Sequence, residues 1–485
     1  MVGVAGRAAG ESTAEPGIGF RSERGPVLMA LLLCVGLIAI DSTIIATVVP
    51  STVRDLGGFN QFPWLFSVYL LAQAVCVPIY SKLSDQVGRK PIMLIGIGLF
   101  LAGSVLCGAA WSMPALIAFR AVQGLGAGAV QPMALTIVGD LYSLQERGRV
   151  QGYISSVWGI TSVVGPAVGG VFAEYVSWRW VFFVNIPLCL GAGATLVRAF
   201  HEKVVRREHR QDFVGASLLT VGCTLLILGL LEGGQAWAWV SPASILVLVA
   251  GAAVLGVFVL VERVAAEPVL PAWVFRRRVL RSANTVGLML GAVLIGLTSY
   301  VPTFAQGVLG TGPLVAGFAL ATMTFGWPIT SSQSSRLYLR IGFRATALIG
   351  GAVTIVGCAL LAALGPHSSI VAVAVACFVV GCGMGPVAAP VLIAAQSTVG
   401  WAERGVVTGT HLFSRSIGSA VGVAVFGALA NAALGSGERT ASRLDVASHH
   451  VFLASLVAAT LMVVAIATIP AVVRQFAEPD PVPAQ

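Results

Sequence analysis

Four ionisable side chains fall inside long apolar runs of this sequence: Asp41, Arg120, His411 and Arg415. Holding an ion away from water is costly, so each must be paired, neutralised or in use. Asp41 stands in Ile40-Asp41-Ser42-Thr43-Ile44, near the middle of its run. A carboxyl shielded from water holds its proton more readily, so Asp41 can take up and release one if access to it alternates. The other reading is a structural carboxylate held by a neighbouring hydroxyl or arginine. Arg120, in Arg120-Ala121-Val122-Gln123-Gly124, keeps its charge and needs a carboxylate, carbonyls or water. Asp41 is a candidate, and such a pair either couples a proton to helix position or is a permanent structural ion pair. Arg415 faces lipid or an internal cavity, and the residue pattern leaves both open. His411, one turn away, reads as a satisfied polar group rather than a proton relay.

The runs that carry these residues read as membrane helices. Charged residues make up 10% of the chain, against about 25% in soluble domains. Hydrophobic residues make up 57%, and mean hydropathy is +0.90. Fourteen runs of spanning length are expected, the first at 27–49 and the last at 449–472. The run after the polar first 26 residues is too long for a cleaved signal core and is read as the first span. With both termini cytoplasmic, the 29 Lys and Arg residues divide as 23 inside and four outside, leaving Arg120 and Arg415 within spans. The net charge of +9 therefore sits in short loops and does not indicate a nucleic-acid partner; the bilayer is the partner. The eight cysteines lie in apolar stretches without metal-ligand spacing, so no metal is expected. His449 and His450 are expected as solvated residues of the longest external loop, 432–449.

One charge-dense turn, residues 81–91, links two of the runs. It contains Lys82, Asp85, Gly88, Arg89, Lys90 and Pro91. Gly88 can take positive φ, and Pro91 suits a first helical turn. The stretch returns at 335–344: Ser, Leu and Gly recur, Lys82 becomes Arg336 and Lys90 becomes Arg344. Asp85, however, becomes Leu339, and Arg89 becomes Phe343. Glu146-Arg147-Gly148 with Val150 and Gly152 likewise returns as Glu403-Arg404-Gly405 with Val407 and Gly409. In that register Gly165 and Gly170 fall on Gly422 and Gly427, and Arg120 falls on Cys377. The chain is an internal duplication. It divides into a tail (1–26), a six-helix half (27–200), two additional helices with basic linkers (201–280), a second six-helix half (281–472) and a tail (473–485). Pro166, within Gly165-Pro166-Ala167-Val168-Gly169-Gly170, is expected to kink the fifth span in one half only.

Duplicated six-helix halves suggest a transporter rocking about a midplane cavity. Gln73, Gln123, Trp158 and Arg415 are candidates to line that cavity. No catalytic cluster of nucleophile, acid and metal ligands is present, which argues against a membrane enzyme. No G-x-x-x-x-G-K-[ST] loop is present, which argues against an ATP-driven pump. No cofactor is expected.

The chain resembles a fourteen-span drug:proton antiporter of the major facilitator superfamily, an all-α membrane fold. The resemblance rests on the 82–91 turn, Arg120 with Gly124, and Gly152, Gly165, Pro166, Gly169 and Gly170 in the fifth span. It also rests on Asp41-Ser42-Thr43-Ile44-Ile45 with Pro50 and on the stretch from Trp178 to Pro187. Thr161 and Ala46 depart from the pattern. The resemblance implies export of hydrophobic or cationic drugs from the plasma membrane in exchange for protons, by a functional monomer. It also implies proton coupling at Asp41 and Arg120, and a cytoplasmic gate at Lys82, Asp85, Gly88, Arg89 and Lys90. Asp85 would there face the N-terminal end of the span beginning near Gly405. The alternative is a dedicated exporter of one endogenous metabolite, antibiotic or lipid.

Overall fold

The computed structural model describes residues 22–57, 61, 64–202, 212–233, 237–265, 268–434 and 440–471. Most of the first tail, the last tail and most of the linker after the sixth run lie outside the described residues. Helices account for nearly all of the rest. The first group comprises α1 (Gly25–Leu56), α2 (Trp64–Val87), α3 (Arg89–Gly108), α4 (Met113–Leu141), α5 (Leu144–Tyr175), α6 (Trp180–Phe183) and α7 (Asn185–Ala199). Then come α8 (Phe213–Glu232), α9 (Pro242–Glu262) and the short α10 (Trp273–Arg276). The last group is α11 (Arg278–Gly307), α12 (Pro313–Ala362), α13 (Ile370–Ser397), α14 (Trp401–Leu434) and α15 (Ala441–Ala467).

The helix starts follow from local chemistry. The hydroxyls of Ser112, Ser241, Ser369 and Thr440 accept a hydrogen bond from a free first-turn N–H, as does the carboxylate of Asp212. Ser143 and Glu146 form a reciprocal capping box on α5. Between α2 and α3 the chain turns at Gly88, with φ 102° and ψ 159°. At Gly342 inside α12 the angles are φ 85° and ψ 164°, so α12 is two helices meeting at that residue. Only glycine takes this conformation without strain.

Twelve helices among the described residues are long and apolar enough to cross a membrane, where fourteen spans were expected. The shortfall has two local causes. The expected runs 313–334 and 344–364 form one uninterrupted stretch, Val315–Ala362, bent at Gly342. The apolar part of α8, Val214–Leu230, falls short of spanning length. The last run also differs: α15 begins at Ala441, so His449 and His450 lie on a helix rather than in a loop. Thr440 caps that helix and moves its start outward. α5 runs through position 166 to Tyr175, with the Pro166 side chain outside what is described.

The groups pack as two bundles, with α8 and α9 paired beside them. Leu28, Leu31, Phe100 and Met133 anchor one core. Val293, Phe304, Val380, Phe452 and Met462 anchor the other. The sequence repeat reappears as geometry. A Cβ at Gly103 would strike the backbone of Gln123, and one at Gly357 the backbone of Val380. Gly126 lies as tightly on Phe100 as Gly383 does on Thr354. These close backbone approaches are why small residues alternate along α4 and α13. The bundles meet along α5 with α12 and α2 with α14.

Candidate functional site

Deep in the first bundle, α1 presents Asp41 to α4. Arg120 and Gln123 lie one turn apart on α4, so both reach the same carboxylate. Arg120 Nη1 donates to Asp41 Oδ2 at 2.7 Å, and Gln123 Nε2 donates to Asp41 Oδ1 at 2.9 Å. Arg120 Nη1 also donates to Gln123 Oε1 at 2.7 Å, and Nε to the Leu65 carbonyl at 3.2 Å. The guanidinium lies 4.1 Å from the centre of the Tyr69 ring, a cation–π contact. Gln123 Nε2 donates onward to Ser104 Oγ on α3 at 2.9 Å, and Asn185 Nδ2 on α7 reaches the same oxygen at 3.3 Å. Asp41 and Arg120 are each 1% exposed. Five helices thus converge on one neutral pair of opposite charges. The pairing left open by residue type is direct, and both carboxylate oxygens are taken.

Gln123, expected in a cavity wall, is instead buried within this network. Tyr69, Ser104 and Asn185 were missed. They are neutral polar or aromatic groups in apolar runs, and only ionisable groups advertise their cost. Gln73 pairs with Gln131 at 3.0 Å between α2 and α4. Trp158 is half-buried against the first core, and Arg415 is half-buried on α14.

A second cluster closes the end of the molecule where residues 88, 143, 342 and 400 turn. Asp85 accepts from the backbone N–H of Gly405 at 2.9 Å and of Val406 at 2.8 Å, in the first turns of α14. This is the expected contact of a carboxylate with the positive end of a helix. Arg89 Nη2 pairs with Asp85 Oδ1 at 2.8 Å, and Nε with Asp140 Oδ2 at 3.0 Å. The Arg89 guanidinium also lies 3.8 Å from the centre of the Trp401 ring and is fully buried. Arg404, from the other bundle, donates to Asp140 Oδ1 at 3.0 Å. Two carboxylates and two arginines therefore clamp α2, α3 and α4 to α14. Asp140, Trp401 and Arg404 were not singled out beforehand. The Arg404 position was visible only as part of the repeat.

Two expected gate residues stand elsewhere. Lys90 Nζ donates to the carbonyls of Val197 and Phe200 at 2.9 and 2.6 Å, and so caps the end of α7. Glu202 in return accepts from the backbone N–H groups of Arg89 and Lys90, at 3.0 Å each. Lys82 makes none of the gate's bonds. The small residues of α5 divide their work. Gly152 lies against Ser332 of α12, as Gly148 lies against Ser335. Gly165 lies against Thr43, the second residue after Asp41, whose hydroxyl donates to Thr161 O at 3.0 Å. Gly169 is buried, while a Cβ at Gly170 would meet open space. One helix thus touches the neighbourhood of the buried ion pair and the seam between bundles.

The Major Facilitator Superfamily family model matches residues 31–423. Multidrug resistance protein 3 of Bacillus subtilis (strain 168) is 35% identical over 401 residues, covering 83% of this chain and 78% of that protein. The multidrug transporter protein MdtP of the same strain is 34% identical over 420 residues, covering 86% and 77%. In three dimensions the chain is similar to a crystal structure of the human organic anion transporter MFSD10 (TETRAN), with a TM-score of 0.65 at 16% identity, covering 90% of this chain and 99% of that one. At that identity the likeness concerns the fold alone. With its duplicated helical bundles and this match over most of its length, the chain belongs to the major facilitator superfamily and is a transporter, not an enzyme.

Proposed function

We propose that this protein exports hydrophobic, drug-like compounds in exchange for protons by alternating access. The observation that carries the reading is the buried Asp41–Arg120–Gln123 network. Protonating Asp41 removes the negative charge that compensates Arg120 and leaves the guanidinium with Gln123, Leu65 O and the Tyr69 face. An uncompensated buried cation costs several kcal/mol, enough to bias helix position. α5 offers a route for that bias, since it touches Thr43 at Gly165 and the seam at Gly152. The Asp85–Arg89–Asp140–Arg404 cluster then acts as the gate, shut in this conformation and broken when the bundles part. The names of the Bacillus relatives support a drug cargo.

In this reading the chain crosses the membrane fourteen times, with two six-helix halves flanking the extra pair. A straight helix of 48 residues would be about 72 Å long, more than twice the roughly 30 Å hydrocarbon core, so Val315–Ala362 supplies two crossings hinged at Gly342. α8 supplies another beside α9. The basic gate end faces the cytoplasm of the cell membrane, and the protein works as a monomer.

The test uses proteoliposomes with an imposed pH gradient and a panel of hydrophobic compounds. Dissipation of the gradient by several unrelated compounds, lost in Asp41→Asn while the protein stays monodisperse, is expected. Undiminished coupled transport by Asp41→Asn overturns the proton role. No response to the whole panel points to one dedicated endogenous cargo.

A further inference from the structure

Among the described residues, Arg415 is a half-buried charge that no ion pair balances. Arg415 lies on α14, whose exposed stripe carries Val421 and Val425. It belongs to a different face. Its backbone carbonyl lies on Gly291 of α11, a contact continued by Gly418 on Leu288 and Gly422 on Ala292. Two turns earlier along the helix is Thr408, whose hydroxyl accepts from Gln396 Nε2 of α13 at 2.9 Å. The same amide reaches Leu135 O of α4 at 3.4 Å. Residues seven apart share a helical face, so Arg415 looks toward the meeting of the bundles and not toward lipid.

Among the described residues its guanidinium makes no hydrogen bond and no ion pair. The interior acids are already engaged: Asp41 by Arg120 and Gln123, Asp85 by Arg89, Asp140 by Arg89 and Arg404. His411, one turn away, directs Nδ1 at the Ala283 carbonyl at 3.0 Å and offers Arg415 no negative charge. The register that carries Glu146 onto Glu403 also carries Trp158 onto Arg415. Equivalent sites of the two bundles thus hold an aromatic plane and a guanidinium.

We infer that Arg415 is the anchor of an anion subsite, and that the cargo is an amphiphilic aromatic anion. The carboxylate or sulfonate pairs with Arg415, leaving the rings to the apolar residues that make up most of the surrounding helices. A planar guanidinium grips such an oxyanion through two parallel hydrogen bonds. An unpaired, half-buried arginine repels a cation as it attracts an anion, less strongly where water screens it. The cationic cargo suggested by the family resemblance is therefore disfavoured, and Asp41, with both oxygens occupied, offers it no free carboxylate. This inference rests on the export reading for its physiological meaning, but its test does not use a proton gradient.

The test measures equilibrium binding of two probes with one fluorophore, pyrene-1-sulfonate and (pyren-1-ylmethyl)trimethylammonium, to the purified full-length protein. Wild type is expected to bind the sulfonate about tenfold or more tightly than the ammonium, as one charge-assisted contact warrants. Arg415→Gln is expected to lose that preference, and Arg415→Lys to keep part of it. Equal or reversed preference in wild type overturns the inference, as does unchanged sulfonate affinity in folded Arg415→Gln. If Arg415→Gln does not fold, the wild-type ratio decides alone. Loss of gradient-driven transport with the binding preference intact would count against proton exchange, not against the anion subsite.

Discussion

The turn at Gly88 and its copy at Gly342 share a backbone and differ in chemistry. Both glycines hold nearly the same positive-φ conformation, and each turn brings a serine, Ser81 or Ser335, against a glycine of the opposite bundle. The first turn carries Asp85 and Arg89 into a four-residue ionic clamp. In the second, Leu339 is 50% exposed, and Phe343 stacks on Tyr338 with ring centres 4.8 Å apart. The partners differ as well, since Asp140 corresponds to Ser397 in the repeat register. Duplication kept the glycine turn in both halves and placed the ionic clamp in one half only. A lock at one seam can be broken by one charge change, whereas two would have to release together.

The sharpest way to break the comparison is Arg89→Phe, which gives the first turn the residue of the second. It leaves Asp85 and Asp140 buried without their shared cation, so a loss of about 3–5 kcal/mol is expected, read as a fall in thermal stability. The same change should open the gate end, read as labelling of a cysteine placed at Ser335 in a cysteine-free background. An unchanged melting temperature would remove the clamp from the account.

Next in size are Gly88→Ala and Gly342→Ala. Each should cost about 1–3 kcal/mol, because the φ and ψ values at both sites lie where side chains are strained. If only one of them destabilises, the two turns are not equivalent hinges. Leu339→Asp, which restores the acid to the exposed second position, should shift stability by less than about 0.5 kcal/mol. A large effect there would reveal a second lock.

A small effect is also expected at the opposite end, where Asp55 pairs with Arg179 at 2.6 Å and accepts from the Trp178 indole at 3.0 Å. Those hydrogen bonds, Arg179 first, hold the Asp55 carboxyl below its ordinary value of 3.8. A lowered value means the pair contributes fully above 3.8 and is lost only as pH falls below it. Arg179→Gln should therefore cost below about 1 kcal/mol, since solvent screens the pair, with no change across neutral pH. A stability difference that varied between mildly acidic and neutral pH would contradict this assignment.

Much of this architecture is legible in the chain because it rests on local rules. Apolar length makes helices, lone ions in apolar runs mark costly sites, and repeated glycines mark repeated close approaches and turns. Asp41 and Arg120 stood out as lone ions, and Asp85 and Arg89 as members of a charge-dense turn. The sequence alone also determined membership in a helical, duplicated class. Which ions meet was decided only by tertiary structure. Asp140 and Arg404 are ordinary helix-end charges until α4 and α14 are brought together, and Gln123 is one polar residue among several until α1 places Asp41 beside it. Lys90 was expected in the gate through the resemblance, yet its Nζ reaches the carbonyls at the end of α7. Neutral partners such as Tyr69, Ser104 and Asn185 carry no warning of their own, because a polar group's cost depends on where packing puts it. The direction of Arg415 was likewise undetermined by its neighbours in sequence. It rests only on the face of α14 shared with Thr408, where Gln396 also reaches Leu135 of the first bundle.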